Sequence, residues 1–257
     1  MLRKKILSIV SAADGGNGVE GMWLDITKTG TEFEAIQSKF SGVWSSIANT
    51  FADYDHKLIF EGFNELNNGT QNEPSASNLS NVNELNRAFV TAVRNSGGKN
   101  SDRVLVVAGY NTNIDYTVMT GGFAKPNDTA NDRLMLSVHY YDPYDFALEE
   151  TDDVIDWGVI SDRMYMQNQL KMISDFAYTD DIKMPVIIGE YGAVDKDNTI
   201  ERATYLENLN MYAAQYDIVT AYWDNGVNGN YGFGLFNRDT NAVTTTGNTL
   251  IEAIMGI

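Results

Sequence analysis

The stretch Phe60-Glu61-Gly62-Phe63-Asn64-Glu65 decides how this chain is expected to fold. It follows the apolar pair Leu58-Ile59 and runs into the polar segment Leu66-Asn67-Asn68-Gly69. An apolar strand that ends in a polar loop is typical of a parallel barrel, in which residues at the carboxyl ends of the strands form the active site. The stretch therefore predicts a barrel strand that delivers Glu65 to that rim.

A second glutamate has the same setting. The run Pro185-Val186-Ile187-Ile188-Gly189 leads into Glu190-Tyr191-Gly192. Two carboxyl groups on either side of one glycosidic bond are what glycosidases use: one is an acid/base and the other a nucleophile or base. Carboxyl groups about 5–5.5 Å apart would retain the configuration of the sugar, and groups about 6.5–9.5 Å apart would invert it. Both spacings are compatible with the sequence.

The composition excludes several classes of protein. With 257 residues, 43% of them hydrophobic, the chain can form one catalytic domain over residues 1–257. A net charge of −17 disfavours nucleic acid as a partner, because no basic surface is present to neutralise phosphates. No apolar run has the length that crosses a membrane. Because cysteine is absent, disulfides and thiolate metal sites are excluded.

The first residues fit two interpretations. Leu2-Arg3-Lys4-Lys5 and the apolar segment Ile6–Ala13 have the charge and apolar stretch of a minimal secretory signal. They also fit a buried strand that a basic turn introduces. We favour the strand, because the apolar segment is short for a signal.

Strands and helices alternate along the chain, which predicts an α/β fold with a parallel sheet and helices outside it. Thr31-Glu32-Phe33-Glu34 is a capping box that would begin the first helix. We count six strand–helix units, two short of a complete (β/α)8 TIM barrel, so the predicted fold is an incomplete barrel of this type. The predicted strands are Ile6–Ala12, Leu58–Gly62, Val104–Ala108, Leu134–Val138, Val186–Gly189 and Val219–Trp223. The later predicted helices are Val82–Val93, Ile114–Met119, Met164–Ala177, Ile200–Ala214 and Leu250–Met255.

Four further residues at predicted strand ends suit a sugar-hydrolysing site. Asn64 is placed to hydrogen-bond a sugar hydroxyl, or alternatively caps a turn. The imidazole of His139 would orient Glu65 and share its proton. Tyr141 would donate to the nucleophile carboxylate and keep it ionised. Trp223 would offer a flat apolar face to a sugar ring, or alternatively fill the top of the barrel.

Two other tryptophans are candidates for substrate binding. Trp23 and Trp157 lie in polar segments, where a large aromatic side chain indicates a contact surface. For each of them, the alternative is that the indole holds its own loop in place.

Other chemistries lack their motifs. The chain has no G-x-S-x-G elbow, no H-E-x-x-H, no phosphate-binding loop and no dinucleotide fingerprint. Its two histidines, His56 and His139, are too few for a His-rich metal site. Asp195-Lys196-Asp197 lacks the glycine and glutamate that complete a calcium loop. We therefore expect no metal ion and no cofactor.

The chain resembles the family 5 glycoside hydrolases, which are retaining (β/α)8 enzymes, and within them the bacterial endo-β-1,4-glucanases and xyloglucanases of the fourth subfamily. The resemblance implies Glu65 as acid/base and Glu190 as nucleophile. It implies Asn64, His139, Tyr141 and Trp223 as supporting residues, and an extracellular enzyme. The matching stretches are Trp44–Ala48, Phe51–Asp55, Leu58–Glu65, Ser137–Pro143, Pro185–Gly192 and Tyr222–Gly226.

Departures from the family pattern are also present. The first two strand–helix units of the family have no counterpart, and with them goes an arginine that hydrogen-bonds the nucleophile in the family. Ala12 and Ala13 stand where the family has a pair of histidines. The missing units leave unpaired strand edges. We expect the first and last strands to close on each other, or a homo-oligomer to cover these edges.

The expected activity is endo-acting, retaining hydrolysis of β-1,4-glucosidic bonds in carboxymethylcellulose, mixed-linkage glucan or xyloglucan. One alternative is a weakly active or inactive relative that still binds β-glucan. A further alternative is xylan or mannan as substrate. In every case the expected partner is a polysaccharide.

Overall fold

The structure is a computed structural model, and it describes residues 7–10, 23–70 and 73–256. Strands and helices alternate through these residues, as predicted, and they form six strand–helix units. The strands are β1 Leu7–Val10, β2 Leu58–Glu61, β3 Leu105–Ala108, β4 Leu134–Tyr140, β5 Val186–Tyr191, β6 Val219–Tyr222, β7 Phe236–Asn237 and β8 Ala242–Val243. The α-helices are α1 Gly30–Thr50, α2 Ala76–Asn95, α3 Ile114–Val118, α4 Tyr144–Ala147, α5 Ile160–Ala177, α6 Thr199–Gln215 and α7 Thr245–Met255, and short 3-10 helices span Gly98–Asp102 and Tyr110–Thr112.

The contacts divide the chain into two compact units. The first unit comprises Met1–Val138 with Phe176–Pro185, and the second comprises His139–Asp175 with Val186–Ile257. The single catalytic domain expected from the sequence stays a prediction.

The first unit contains a parallel sheet in which each strand lies beside its predecessor in the chain. Leu7 pairs with Leu58, Phe60 with Leu105, and Leu105 with Leu134. This chain-order winding is that of a (β/α)8 barrel, whereas a doubly wound sheet reverses its direction at a switch point. The fold class is therefore the predicted α/β class, of incomplete (β/α)8 type.

Helices α1 and α2 cover this sheet with large aromatic side chains. Trp44 is fully buried and packs against Phe60 and Phe89, with ring centroids 5.6 Å and 4.4 Å away. Its indole Nε1 donates to the carbonyl of Gly62 at 3.0 Å. A Cβ on Gly62 would lie 3.1 Å from the Phe89 ring, so glycine allows α2 to approach the strand closely. Packing and hydrogen bonding together fix the carboxyl end of β2.

The second unit contains the parallel pair β5 and β6, in which Ile187 lies opposite Val219. A partly buried polar network links both strands to helix α6. The Tyr191 hydroxyl donates to Asn210 Oδ1 at 3.2 Å, and the Thr220 hydroxyl donates to the same oxygen at 2.8 Å. Burial raises the pKa of Tyr191. These hydrogen bonds thus attach the carboxyl end of β5 to helix α6.

The element boundaries differ from the prediction in specific places. Helix α1 begins at Gly30 after the N-cap Thr29, whose side chain makes no capping hydrogen bond, so the capping box at Thr31 is wrong. A serine cap does begin α2: Ser75 accepts from the amide of Asn78 at 3.2 Å. That helix starts before the predicted Val82 because the cap outweighs the polar character of its first turn.

Two strands extend beyond their predicted ends. Strand β4 continues to Tyr140 and β5 continues to Tyr191. His139 and Glu190 therefore lie within strands rather than just past them, which limits the freedom of their backbones.

Only part of the first thirteen residues is described. The predicted first strand is present at Leu7–Val10, while Ala12 and Ala13 lie outside the described residues. Within the described ranges, no helix has the length and apolar character to cross a lipid bilayer.

Candidate active site

In the first unit, Glu65 lies just past β2, next to Asn64, and both side chains are half-buried. Its backbone φ is +39°, a left-handed conformation that residues other than glycine rarely adopt. Strained backbone of this kind concentrates at functional sites, where the surrounding structure holds it in place. The conformation of Glu65 is compatible with a functional role, although nine other non-glycine residues in the described part of the chain also have a positive φ.

The loop that carries Glu65 is joined to the loop after β3. Nδ2 of Asn67 donates to the carbonyl oxygen of Glu65 at 2.9 Å and to Oδ1 of Asn111 at 3.1 Å. The backbone amide of Asn111 donates to the carbonyl of Leu66 at 2.8 Å. These bonds fix the acidic loop against its neighbour.

A buried tyrosine adds a further link between the same two loops. The backbone amide of Asn68 donates to the hydroxyl of Tyr110 at 2.9 Å, and the Tyr110 ring meets Tyr116 edge-on at 5.4 Å. Burial raises the pKa of Tyr110, and the hydrogen bond from the Asn68 amide acts in the opposite direction.

In the second unit, Glu190 lies near the end of β5 with its side chain 19% exposed. The Tyr141 hydroxyl donates to Oε2 of Glu190 at 3.1 Å, the contact that the sequence suggested for a nucleophile carboxylate. Nδ1 of His139 lies 3.6 Å from the same oxygen. The sequence assigned His139 to Glu65, and that role stays a prediction; beside Glu190, the ring gives a second polar neighbour to the carboxylate.

Tyr141 is itself held by a residue from a distant loop. Its ring packs edge-on against Phe233 with centroids 6.0 Å apart. A Cβ on Gly192 would lie 2.7 Å from the Phe233 ring, so only glycine lets the chain after β5 pass there. The Tyr222 hydroxyl donates to the Phe233 carbonyl at 2.8 Å, and burial raises the pKa of Tyr222 to about 12.

Buried cations hold the loop that follows Glu190. Arg202 lies 3.1 Å from Asp195 and donates from Nε to the carbonyl of Ala193 at 3.0 Å. Nζ of Lys196 donates to the carbonyls of Asp145 and Val154 at 2.6 Å and 3.0 Å. These contacts hold the loop after β5 in place.

Trp223 follows β6 and is 44% exposed, so an indole face is open to solvent. Its backbone amide donates to the carbonyl of Tyr191 at 3.0 Å, which places it beside the end of β5. The next residue, Asp224, accepts from the amides of Gly226 and Leu235 and organises the following turn. An exposed indole on a fixed strand end is suited to stacking against a sugar ring.

The two other tryptophans differ from this arrangement. Trp157 is only 8% exposed and packs against Phe146 and Tyr205, so the expectation of an open contact surface is wrong for this residue. The structure agrees with the alternative, in which the indole holds its own loop in place, because aromatic neighbours from helices α4 and α6 bury its ring. Trp23 is half-buried, and the ammonium of Lys39 lies 4.3 Å from its ring centroid. A cation–π contact of this kind occupies one indole face.

Two supporting residues were not recognised from the sequence. Asn67 looks like an ordinary polar loop residue, although it follows a predicted strand. No sequence pattern indicated a role for Phe233, because its contact with Tyr141 depends on how a loop far along the chain returns to β5.

Comparison with known proteins shows the family of the chain. The family model described as Cellulase (glycosyl hydrolase family 5) matches residues 17–229. The chain is 38% identical to Endoglucanase A of Paenibacillus barcinonensis over 94% of the chain and 65% of the relative. It is 33% identical to a xyloglucan-specific endo-β-1,4-glucanase of Bacteroides ovatus over 86% of the chain and 46% of the relative. The chain thus spans about half to two thirds of the length of these curated relatives.

Solved structures show the same relation. A family 5 xyloglucanase from Paenibacillus pabuli, determined in complex with ligand, superposes with a TM-score of 0.86 at 38% identity, covering 97% of this chain and 75% of that one. A broad-specificity endoglucanase from Bacteroides salanitronis gives a TM-score of 0.83 at 32% identity, covering 91% and 66%.

Proposed function

This chain belongs to glycosyl hydrolase family 5, and from that premise we propose that it hydrolyses β-1,4-glucosidic bonds within cellulose-type polysaccharides, with retention of configuration. The observation that carries the proposal is the strand-end carboxylate Glu190 with the Tyr141 hydroxyl on its Oε2. A nucleophile must be ionised and oriented, and a hydrogen bond to the charged form favours both.

Glu190 is the proposed nucleophile. Its carboxylate attacks the anomeric carbon while the glycosidic C–O bond breaks, and the bonding electrons go to the leaving oxygen. The product of this step is a glycosyl ester on Glu190. Tyr141 holds the attacking group in place, which is how positioned side chains reduce the entropic part of a barrier.

Glu65 is the proposed acid/base. In the first step it would give its proton to the leaving oxygen, and in the second it would take a proton from the water that attacks the anomeric carbon. The second attack releases the carboxylate of Glu190 and restores the original configuration. The strained backbone of Glu65 supports this role, because such strain persists where function requires a particular side-chain position.

Four residues are proposed to bind substrate around these carboxylates. Asn64 would hydrogen-bond a sugar hydroxyl next to the reacting carbon, and His139 would assist through its imidazole. Trp223 would stack on a sugar ring through its exposed face. Trp23 is retained as a weaker platform because Lys39 covers one of its faces.

The proposed substrates are soluble β-glucans such as carboxymethylcellulose, mixed-linkage glucan and xyloglucan. Relatives are named as endoglucanases and as a xyloglucan-specific enzyme, and one solved relative is a family 5 xyloglucanase bound to a XXXG heptasaccharide. We propose an extracellular location, since polymers of this size do not cross a membrane. Xylan or mannan is the competing substrate class to include in assays.

The roles can be separated by comparing Glu65→Ala and Glu190→Ala with the wild type. Wild-type protein should release reducing ends from soluble β-glucan, and both variants should lose about 10²-fold or more. Exposed Glu252 in α7 offers a matched control, because Glu252→Ala removes a carboxylate to which no role is assigned.

With an activated aryl β-cellotrioside as substrate, added azide distinguishes the roles of the two carboxylates. Without the acid/base, azide should intercept the glycosyl-enzyme and give a β-glycosyl azide. Without the nucleophile, it should attack directly and give the α-azide. Wild-type protein that binds β-glucan in affinity electrophoresis yet releases no more reducing ends than either variant would instead establish a binding protein.

We also propose that copies of the chain associate through sheet edges. Among the described residues of the first unit, β1 pairs only with β2, and among those of the second unit β6 pairs only with β5. Strand edges with unpaired amides and carbonyls favour pairing with another chain. Light scattering after size exclusion should show a dimer or larger species; a strict monomer at all concentrations contradicts this proposal.

A further inference from the structure

We propose that Asn67 is a positioning residue that holds Glu65 in its left-handed conformation by tying it to Asn111, and so sets where the acid/base carboxyl stands. The inference deepens the proposed function and rests on Glu65 acting as the acid/base. Neither Asn67 nor Asn111 carries out chemistry in it.

The side-chain amide of Asn67 forms three hydrogen bonds, two within its own loop and one to the neighbouring loop. Oδ1 accepts from the amide of Gly69 at 2.8 Å, which closes a local turn. Nδ2 donates to the carbonyl of Glu65 at 2.9 Å and to Oδ1 of Asn111 at 3.1 Å. The Asn67 amide therefore binds both the backbone of Glu65 and the side chain of Asn111.

The backbone of Glu65 needs such a partner. With φ at +39°, its Cβ is crowded against its own backbone, and glutamate lacks the local side-chain hydrogen bonds by which Asn and Asp tolerate this region. Rotation to an ordinary φ would turn the peptide whose carbonyl Asn67 binds. The hydrogen bond to that carbonyl resists the rotation, and the same rotation would move the Glu65 carboxyl.

The two hydrogen bonds from Asn67 Nδ2, to Glu65 and to Asn111, are called the clamp below. Asn111 is the anchored end of this clamp. It has a left-handed φ of +54°, which asparagine tolerates, and its amide donates to the carbonyl of Leu66. The same loop continues into α3, where Asn113 accepts the Tyr116 amide at 3.0 Å. The clamp therefore transfers the rigidity of the β3 loop to Glu65.

The functional consequence concerns proton donation more than bond formation at the nucleophile. A general acid works only within hydrogen-bond reach of the leaving oxygen, and a displacement of about 1 Å costs a large factor in rate. A leaving group that departs without a proton does not need this position. Loss of the clamp should therefore harm poor leaving groups and spare good ones.

The test is kcat/KM of Asn67→Ala on two aryl β-cellotriosides, one releasing phenolate and the other dinitrophenolate. Since a general acid supplies ~10²- to 10⁴-fold, a displaced one should cost about tenfold or more on the phenyl substrate. The loss on the dinitrophenyl substrate should stay below about threefold, because that step needs little acid assistance. Asn131→Ala is the matched control: it removes an exposed asparagine of the loop before β4, which takes no part in the clamp, and should affect both substrates alike.

Equal losses on both substrates in Asn67→Ala, or no loss on either, would overturn the positioning role. If that variant does not fold, Asn67→Asp serves instead, since it keeps the volume and the bond to Gly69 but removes the donor. The wild type separates this result from the proposed function: a wild type inactive on both aryl substrates and on β-glucan rejects the hydrolase itself, whereas an active wild type with evenly affected variants rejects only the clamp.

Discussion

Replacing Tyr141 by phenylalanine removes one oxygen and tests the proposed nucleophile directly. The lost hydroxyl donates to Oε2 of Glu190 at 3.1 Å, and the Glu190 side chain is mostly buried. When Glu190 attacks, its carboxylate loses charge and the hydrogen bond weakens. When the glycosyl ester breaks, the carboxylate leaves and regains charge, so the bond strengthens. The change in charge therefore lets the hydroxyl assist the second step, whereas in the first step it offsets the orienting effect of the hydroxyl, so that little net effect remains there.

The size of the effect follows from that change in charge. A hydrogen bond to a charged group contributes about 1.5–3 kcal/mol. With roughly half of the charge restored in the transition state, the loss is about 0.8–1.5 kcal/mol, or about 4- to 12-fold in the rate of ester breakdown. With a dinitrophenyl cellotrioside, for which ester breakdown limits turnover, kcat should fall by that factor. The ratio kcat/KM, which reports the first step, should stay nearly constant.

Stopped-flow measurement of dinitrophenolate release checks both quantities, because a slower second step also gives a burst equal to the enzyme concentration. Tyr144→Phe is the matched control: the Tyr144 side chain is exposed, lies three residues on, and should leave both constants unchanged. An unchanged kcat in Tyr141→Phe, or a kcat/KM that falls as much as kcat, would show that this hydroxyl does not act on the leaving carboxylate.

Three further predictions concern binding and stability. Trp223→Ala should raise KM for soluble β-glucan about tenfold, since stacking that buries roughly 60 Å² of apolar surface stabilises the complex by about 1.5 kcal/mol; an unchanged KM in reducing-end assays contradicts the platform. Burial raises the pKa of Tyr222 from 10.0 to about 12, so the folded protein keeps a proton that the unfolded chain releases. The contribution of this hydroxyl to stability should be complete below about pH 10 and decline as the pH rises towards about 12. Phenolate absorbance and denaturant midpoints measure this decline, and midpoints that do not fall over this range contradict the prediction. Gly42 lies within α1 with no atom within 4 Å of an added Cβ, so Gly42→Ala should stabilise the fold by about 0.5–1 kcal/mol. Gly192→Ala should destabilise it, because the new methyl group would meet the Phe233 ring at 2.7 Å; equal denaturant midpoints for the two variants would refute the reasoning.

The strands and most helices were predictable because their signals are local. Leu58, Phe60 and Leu105 belong to apolar runs that have no stable place except a buried sheet, and both faces of such strands are covered in a parallel fold. Boundaries were less predictable. The capping box at Thr31 was misplaced because the helix begins at Gly30, where backbone geometry alone provides the start.

The candidate site was predictable in residue type and only partly in arrangement. Glu65 and Glu190 were identified as candidates because each lies at the end of a predicted apolar strand. Trp157 was misassigned because a polar sequence neighbourhood does not reveal that Phe146 and Tyr205 arrive from other helices to bury it. Burial depends on partners distant in the chain, and single-sequence patterns carry little information about them.

By itself, the sequence determined the α/β class, the order of strands and helices, and the two glutamates, since periodicity, turn residues and residue chemistry act over a few positions. Only the tertiary structure decided that Glu65 has a left-handed backbone, that Asn67 joins it to Asn111, and that Tyr141 rests on Phe233 and points at Glu190. These features arise where loops from separate strands converge, and contacts of that kind depend on the packing of the whole chain rather than on any stretch of it.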